Sequence, residues 1–299
     1  MTRNCPRAVL VGEAMLELSQ DGSSWQLAYG GDTLNTAIHL ARSGIDTAYL
    51  TALGTDPFSA DLKARWAAEG LDTSHVLADP ARNPGLYAIT CDDVGERSFT
   101  YWRGESAARR VFSCAGIDAA LAAAEYADLL AFSLISLAIL PPEGRDSLLA
   151  LAGMVRRHGG QVAFDGNFRP RLWADPAEAR AARDAAIAVA TIGLPTLEDE
   201  TMLSGERDAA AVAAHWQGLG CTETVVKLGP EGCRLPDGET IAPAKVLRPV
   251  DTSGAGDAFN AGYLGARLRG ECPADAAKAG HAFAGWTIMR RGAIPPRDL

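Results

Sequence analysis

The chain has 299 residues, of which 47% are hydrophobic and 22% are charged, a composition typical of a soluble globular protein with a sizeable core. Its formal net charge of −9 argues against nucleic acid or an anionic membrane as a partner, since both bind basic surfaces. The apolar run at residues 8–11 is too short for a signal segment or a membrane span, so we expect a cytoplasmic protein.

Strand-like and helix-like segments alternate along most of the chain. In chain order, short apolar runs predict strands at residues 8–11, 47–53, 129–133, 161–165, 191–194 and 224–227. Helical spacing and capping residues predict helices from Asp32 or Thr33 to Gly44 and at residues 57–69, 143–157, 176–190 and 208–217. This alternation predicts an α/β protein in which parallel strands carry helices on both faces.

Two segments depart from this alternation and have the character of strands. Residues 15–19 and 25–30 form one predicted pair, and residues 85–91 and 96–103 flank a turn at residues 92–95 and form a predicted hairpin. We find no internal repeat or long linker, so we expect these strands to be part of one domain spanning residues 1–299.

Cysteine usage gives no sign of a metal or disulfide framework. The six cysteines, at positions 5, 91, 114, 221, 233 and 272, form no Cys-x-x-Cys pair and have no nearby histidine at metal-ligand spacing. We therefore expect reduced thiols.

The most informative motif is DTSGAGDAFNAG at residues 251–262, where a loop is predicted to become a helix. The backbone N–H groups of Gly254, Ala255 and Gly256 would lack intrahelical partners there and could hold an anion. A carboxylate at Asp257, beside these amides, could accept the proton of a hydroxyl that attacks phosphorus. In the other interpretation, Asp257 is an ordinary first-turn acid that complements the helix dipole. The motif favours phosphoryl transfer to an alcohol.

A second motif, GGDTLNTAIHLARSG at residues 30–44, resembles the N-terminal signature of the ribokinase-like (PfkB) sugar kinases, and residues 251–262 resemble their C-terminal signature. Further runs resemble the kinases of 2-dehydro-3-deoxygluconate within this family: residues 12–18, 49–59, 95–103, 167–173 and 291–295. The resemblance covers nearly the whole chain. It implies a three-layer α/β/α fold with a central, mostly parallel sheet and a small β-sheet lid, whose strands lie at about residues 14–30 and 85–103.

The resemblance also implies an activity. It is the ATP-dependent phosphorylation of 2-dehydro-3-deoxy-D-gluconate at its terminal hydroxyl, which gives the 6-phosphate. Asp257 would be the base, and the amides of residues 254–256 would form the anion hole. The partners would be a small sugar acid and ATP with Mg²⁺, and exposed edges of the lid strands would favour a homodimer.

Substrate binding is assigned by the resemblance to Gly31, Asn35, Tyr87, Tyr101, Arg103, Arg169 and Asp257. An arginine fork matches a carboxylate in two parallel hydrogen bonds, which suits Arg103 and Arg169 to a sugar acid. Without the resemblance, the two tyrosines would be read as core of the small sheet and Arg103 as a solvated charge at its edge.

Nucleotide binding is assigned by the resemblance to Asn167, Arg169, Lys227, Gly229, Gly232, Gly254, Gly256 and His281. Taken alone, Lys227-Leu-Gly-Pro-Glu-Gly232 is equally typical of a glycine-rich turn between strands. His281 flanks the adenine or is a partly buried structural histidine.

Metal ligands stay unassigned, because many family members carry Asn-x-x-Glu where this chain has Thr196-Leu-Glu-Asp199. Glu198, Asp199 and Glu200 either hold Mg²⁺ through water or form a solvated helix start. Asp251 supports its own loop or a monovalent cation.

Two alternatives are open to test, and a third does not fit the sequence. A kinase of a neutral ketose such as fructose would not need the arginines. A non-catalytic sugar-acid sensor would keep Arg103 but have no use for Asp257. A nicotinamide dehydrogenase does not fit, because Gly-x-Gly-x-x-Gly should follow the first strand, whereas Gly12-Glu-Ala-Met follows it here. A Walker P-loop sequence does not occur.

Overall fold

The computed structural model describes residues 7–91 and 97–297. Its strands, numbered in chain order, are β1 Arg7–Val11, β2 Met15–Asp21, β3 Ser24–Gly30, β4 Asp46–Leu53, β5 Val76–Ala78, β6 Gly85–Cys91, β7 Arg97–Trp102, β8 Leu129–Ser133, β9 Gln161–Asp165, β10 Ile192–Gly193, β11 Glu223–Thr224, β12 Val226–Lys227, β13 Cys233–Arg234 and β14 Thr240–Ile241.

Its α-helices are α1 Asp32–Arg42, α2 Pro57–Ala68, α3 Ile117–Ala124, α4 Leu134–Ile139, α5 Pro142–Arg157, α6 Pro176–Val189, α7 Leu197–Ser204, α8 Ala209–Gly218, α9 Ala255–Leu268 and α10 Pro273–Ile288. Several start at the residues that the sequence predicts. The Asp56 side chain accepts hydrogen bonds from two first-turn amides of α2, and Asp175 and Asp208 each accept one from the first turn of α6 and α8. None of the helices in the described ranges is long and apolar enough to cross a membrane.

Seven strands form the central sheet in the order β11-β10-β9-β8-β1-β4-β5, and the pairs between them are parallel. Alternate residues of each strand face opposite layers of helices. Val9 and Val11 of β1 pack with helices α3 to α6 and α8, while Ala8 and Leu10 pack with α1, α2, α9 and α10. The α/β prediction with helices on both faces is therefore confirmed, and the carboxyl ends of the parallel strands share one edge of the sheet.

A second sheet of four strands has the order β3-β2-β6-β7. Antiparallel hairpins form its two halves, and β2 and β6 pair in parallel at its centre. Strand β2 runs two residues beyond the predicted end at residue 19. The predicted turn at residues 92–95 and residue 96 lie outside the described residues. Whether the chain is one domain, and whether it forms a dimer, stay predictions.

Two further predictions about element ends differ from the structure. The strand predicted at residues 224–227 is divided, because β11 ends the central sheet and β12 starts a three-stranded sheet with β13 and β14. The helix predicted to be capped by Asp32 or Thr33 has Gly31 as its N-cap residue, without a side-chain cap. A Cβ atom at Gly31 would lie 2.2 Å from the Glu13 carbonyl oxygen, so close backbone approach explains the glycine.

Candidate active site

Helix α9 begins at the carboxyl edge of the central sheet, and its first turn carries Asp257. Its N-cap residue, Gly254, has φ of 70°, a left-handed conformation that favours glycine. A Cβ atom there would also lie 2.5 Å from the Cβ atom of Ala293. Asp251 holds the preceding loop, since its carboxylate accepts hydrogen bonds from the backbone N–H groups of Ser253 at 3.0 Å and Gly292 at 3.1 Å. The sequence left two roles open for Asp251, support of its own loop or binding of a monovalent cation, and these hydrogen bonds are those of loop support.

One of the three amides predicted to be free is engaged. The Ala255 N–H group donates to the Thr252 carbonyl oxygen of the preceding loop at 3.3 Å, so it lacks an intrahelical partner as predicted but is not free to bind an anion. The first i→i−4 hydrogen bond of α9 runs from the Ala258 N–H group to the Gly254 carbonyl oxygen, at 2.8 Å. The amides of Gly254, Gly256 and Asp257 therefore precede the first intrahelical donor and are oriented by the start of the helix.

The Asp257 carboxylate meets the first signature directly. Asn35 Nδ2 donates to Asp257 Oδ2 at 2.7 Å, and the Thr36 hydroxyl donates to the Asp257 carbonyl oxygen at 3.2 Å. The pKa of Asp257 is raised to about 8, first by burial and then by the charges of Asp32 and Asp165, against the hydrogen bond from Asn35 and the charge of Lys227. A carboxylate with such a pKa is suited to accept a proton near neutral pH.

A buried polar cluster lies beside this carboxylate and joins three elements. Lys227 Nζ, at the end of β12, donates to Asp165 Oδ1 and to Asn260 Oδ1, each at 3.1 Å. Asn260 Nδ2 donates in turn to the other oxygen of Asp165 at 2.7 Å. Lys227 Nζ also lies 3.8 Å from the position of a Cβ atom at Gly256. The cluster fixes α9 on the ends of β9 and β12 and places the Lys227 ammonium group close to Gly256.

Sequence reasoning missed Asp165 and Asn260 as site residues, and it considered Asp32 only as a cap. Each had a usable signal. Asp165 ends a predicted central strand, where the ligand edge of a parallel sheet lies, and Asn260 follows Asp257 by three residues on one helix face. Asp32 belongs to the first signature, and its Oδ2 atom accepts a hydrogen bond at 3.0 Å from Nδ2 of Asn167, which follows β9.

The predicted substrate residues of the small sheet are neighbours. Tyr87 of β6 is directly opposite Tyr101 of β7, and their rings stack with centroids 5.8 Å apart. The Tyr87 hydroxyl donates to the carboxylate of Glu17. Burial raises the pKa of Tyr87, as do the charges of Glu17 and Asp257. A Cβ atom at Gly30 would lie 2.8 Å from the Tyr87 hydroxyl oxygen and 3.8 Å from Asn35 Oδ1, so this tyrosine lies near the first signature. Glu17 is a second carboxylate that sequence reasoning missed.

Arg103 follows β7 rather than lying in it, contrary to the predicted strand at residues 96–103. Its guanidinium lies over the Tyr101 ring at 6.0 Å and forms an ion pair with Glu13. The reading of Arg103 as a solvated edge charge is wrong, because only 12% of its side chain is exposed.

Arg169 is far more open, with 52% of its side chain exposed. Its Nη1 atom lies 3.2 Å from Asp199 Oδ1 at the start of α7, and it also donates to the Phe168 carbonyl oxygen at 2.7 Å. Burial raises the pKa of Asp199 to about 6, with Arg169 opposing and Asp165 adding to the shift. Asp199 therefore lies within ion-pair distance of Arg169.

The three acids considered for magnesium have different surroundings. Glu200 is buried and accepts hydrogen bonds from Arg183 at 2.6 Å and from the Trp216 indole at 3.0 Å, so it is not available to a ligand. Glu198 is exposed, which leaves Asp199 as the acid that faces the site. In the described ranges, no three His, Cys, Asp or Glu side chains lie together in a group that could hold a metal ion. A single carboxylate is compatible with Mg²⁺, which retains several waters and binds phosphate oxygens.

The remaining nucleotide residues surround Ile241 of β14. A Cβ atom at Gly232 would lie 2.1 Å from the Ile241 carbonyl oxygen, so only glycine fits the turn that also contains Gly229. His281 Nε2 lies 2.8 Å from the same carbonyl oxygen, and its ring packs at 5.1 Å against Phe259. The contacts of His281 are those of a partly buried structural histidine, and its role toward adenine stays a prediction.

Nearly the whole chain resembles known carbohydrate kinases. Residues 7–298 match the model of the pfkB family carbohydrate kinases. A 2-dehydro-3-deoxygluconokinase of Dickeya dadantii is 41% identical, over 97% of this chain and 96% of the relative. A PfkB protein from Polaromonas sp. JS666 superimposes with a TM-score of 0.84 at 30% identity, covering 95% of this chain and 96% of that one.

A more distant structure supports the fold alone. The aminoimidazole riboside kinase of Salmonella enterica, in complex with aminoimidazole riboside and an ATP analogue, has a TM-score of 0.82 at 23% identity, covering 97% of this chain and 96% of that one. The predicted ribokinase-like fold, with its seven-stranded parallel sheet between helices and its separate small sheets, is confirmed. The chain belongs to the pfkB family of carbohydrate kinases.

Proposed function

We propose that this protein transfers the γ-phosphoryl group of ATP to the terminal hydroxyl of 2-dehydro-3-deoxy-D-gluconate, forming the 6-phosphate and ADP. The name of the Dickeya dadantii relative supports this substrate, at 41% identity over nearly the whole chain. The observation that carries the proposal is the Asp257 carboxylate, held by Asn35 at 2.7 Å beside the amides that begin α9.

Asp257 acts as the general base. Its ionised carboxylate takes the proton as the substrate oxygen bonds to the γ-phosphorus, while the bond from that phosphorus to the ADP oxygen breaks. The hydrogen bond from Asn35 Nδ2 at 2.7 Å keeps one carboxylate oxygen occupied and leaves the other for the hydroxyl. Because the pKa of Asp257 is raised to about 8, the carboxylate is a stronger base than an exposed aspartate.

The start of α9 receives the transferring group. The amides of Gly254 and Gly256 donate to its oxygens, and the helix dipole adds partial positive charge at the same place. Lys227 lies beneath Gly256 and contributes a fixed positive charge in a buried position. Asn167, held by Asp32, lies at the same edge of the sheet and is placed to contact the phosphates.

Magnesium and the nucleotide complete this half of the site. Mg²⁺ would be held by the phosphates of ATP and, through water, by Asp199, and it would neutralise charge that spreads during transfer. The glycines of the turn at residues 229–232 allow backbone to approach the nucleotide, and His281 lies behind them. A monovalent cation near Asp251 stays a prediction.

The small sheet selects the substrate and, as a lid, covers the acceptor site. Tyr87 and Tyr101 offer stacked rings, and Gly31 and Asn35 face the sugar hydroxyls from the first signature. Arg103 and Arg169 provide the positive charge that a sugar acid requires and a neutral ketose does not. Covering the site also limits transfer of the phosphoryl group to water.

The test is an ADP-release assay on a panel of 2-dehydro-3-deoxygluconate, its galactonate epimer and fructose. We expect kcat/KM to be much higher for the keto acids than for fructose. Arg103→Met should raise KM for the keto acid about tenfold or more, because a charge-assisted bond to the carboxylate is lost. Equal turnover of fructose would contradict the substrate assignment, and binding of the keto acid without any ADP release would favour a sensor.

Arg145→Met is the matched control for this arginine. Like Arg103, Arg145 pairs with a glutamate, at 2.5 Å from Glu178, and lies over an aromatic ring, at 4.8 Å from Trp173. It belongs to α5 and contacts α6, away from the small sheet. An equal rise of KM in this control would show that losing any arginine with such contacts raises KM for the keto acid. That result would contradict a specific role of Arg103.

A further inference from the structure

The ion pair between Glu13 and Arg103 connects the two sheets of the molecule. Glu13 lies in the short connection between β1 of the central sheet and β2 of the small sheet, and Arg103 directly follows β7. The Glu13 side chain is fully buried, while 12% of the Arg103 side chain remains exposed. The carboxylate thus lies inside the protein, and the guanidinium lies between it and the surface.

Two glycines confine this ion pair. A Cβ atom at Gly85 would lie 2.8 Å from Glu13 Oε1 and 3.3 Å from the Cβ atom of Arg103. On the other side, a Cβ atom at Gly31 would lie 2.2 Å from the Glu13 carbonyl oxygen. Because both neighbours are at contact distance, Glu13 has little freedom, and the guanidinium that it binds has a defined position beside the first signature.

The pair leaves part of the arginine available to a ligand. Glu13 contacts Nη2, and 12% of the Arg103 side chain is still exposed and can be reached by a ligand, whereas Nε is buried without a hydrogen-bond partner among the described residues. A guanidinium has five N–H donors, so an arginine bound to one carboxylate can still donate to a second. Neither oxygen of the buried Glu13 carboxylate has a hydrogen-bond partner among the described residues, so its ion pair with Arg103 offsets the cost of burying the charge.

We propose that Glu13 is a positioning residue that orients the Arg103 guanidinium toward the acceptor site and thereby sets the preference for an anionic sugar. This inference rests on the proposed function, in which Arg103 binds the substrate carboxylate. It differs from simple competition, in which Glu13 would occupy the arginine and weaken substrate binding. The two cases give opposite signs when the charge of Glu13 is removed.

The experiment compares Glu13→Gln, Arg103→Met and the double variant in the full-length protein. For Glu13→Gln, we expect KM for 2-dehydro-3-deoxygluconate to rise about tenfold, with KM for ATP unchanged and kcat reduced less than KM is raised. In the Arg103→Met background, the same substitution should raise KM no further, because Glu13 acts through Arg103.

Glu69→Gln is the matched control. Glu69 forms two hydrogen bonds with Arg42, at 2.7 and 2.8 Å, at the end of α1 opposite to Asp32. This variant should lower the melting temperature and leave KM for the keto acid unchanged. Thermal unfolding of Glu13→Gln shows whether a loss of folded protein accounts for its kinetics.

The outcomes distinguish a failure of the positioning role of Glu13 from a failure of the contact between Arg103 and the substrate. A fall or no change in KM for Glu13→Gln overturns the positioning role, as does a further rise in the double variant. If Arg103→Met itself leaves KM for the keto acid unchanged, the proposed contact between Arg103 and the substrate carboxylate fails instead. A rise confined to the keto acid, and lost without Arg103, supports the inference.

Discussion

The two halves of the site are held together differently. At the edge of the central sheet, Asp165, Lys227 and Asn260 form a closed set of hydrogen bonds among buried side chains from three elements. On the small sheet, a pair of stacked tyrosines and two carboxylate contacts hold the substrate residues, and Tyr101 is 46% exposed. In the proposed function, phosphoryl transfer depends on the first half and substrate selection on the second. Changes should therefore reduce kcat in the first half and raise KM in the second.

Replacement of the proposed base should give the largest effect. Asp257→Asn keeps the shape of the side chain but cannot accept the proton, so we expect kcat to fall about 100-fold or more with binding of the keto acid retained. ADP release and calorimetric binding measure the two quantities. Asp275→Asn, in the first turn of α10, is the control for a helix-start acid and should keep full activity. Undiminished turnover of Asp257→Asn would refute the role of the base.

The pH profile sharpens this prediction. The base is active when ionised, and its pKa is raised to about 8 in the free enzyme. The kcat/KM of the wild type should therefore rise with pH up to about 8 and then level off. The residual activity of Asp257→Asn should lack this rise. A wild-type profile that is flat from pH 6 to 9 would mean that another group takes the proton.

Asp165→Asn tests whether the buried cluster serves the transfer step. The substitution leaves Lys227 without its carboxylate partner, so we expect kcat to fall on the order of tenfold. Since the negative charge of Asp165 raises the pKa of Asp257, its loss should also move the rise in the pH profile to lower pH. Asp72→Asn, which removes the partner of Arg7 at 3.0 Å, is the control. A change in KM for the keto acid alone would contradict the division of roles.

The smallest effect is expected on the small sheet. Tyr87→Phe removes the hydroxyl that donates to Glu17 but keeps the ring that stacks on Tyr101, so we expect KM for the keto acid to rise about threefold. The kcat value should stay the same. Tyr126→Phe, on an exposed tyrosine stacked on His158, is the control. A large loss of kcat in Tyr87→Phe would break the comparison, because it would place this tyrosine in the transfer step.

Local sequence patterns predicted the helices and strands better than they predicted the tertiary contacts. Runs such as residues 129–133 and 161–165 are buried strands in the structure, because both faces of a parallel strand are covered by helices. Residues 224–227 looked like one strand, but the chain leaves the central sheet at Val225, and only tertiary contacts decide that point.

The partners of the site residues could not be predicted in the same way. Glu13 and Glu17 follow an apolar strand like many surface acids. The pairing of β2 with β6 brings Glu17 to Tyr87, and the further pairing of β6 with β7 brings Arg103 to Glu13. Asp257 could be assigned from its motif because a helix start has local geometry. Its raised pKa could not, since Asp32 and Asp165 come from distant parts of the chain.

The hydrogen bond between Asn35 and Asp257 joins residues 222 positions apart in the sequence. Neither terminal segment can assemble the base alone, because the strands between them set the distance. A nascent or cleaved chain that ends before residue 257 lacks the group proposed to activate the hydroxyl. Synthesis must therefore pass residue 257 before any copy of the molecule can phosphorylate an alcohol by this route.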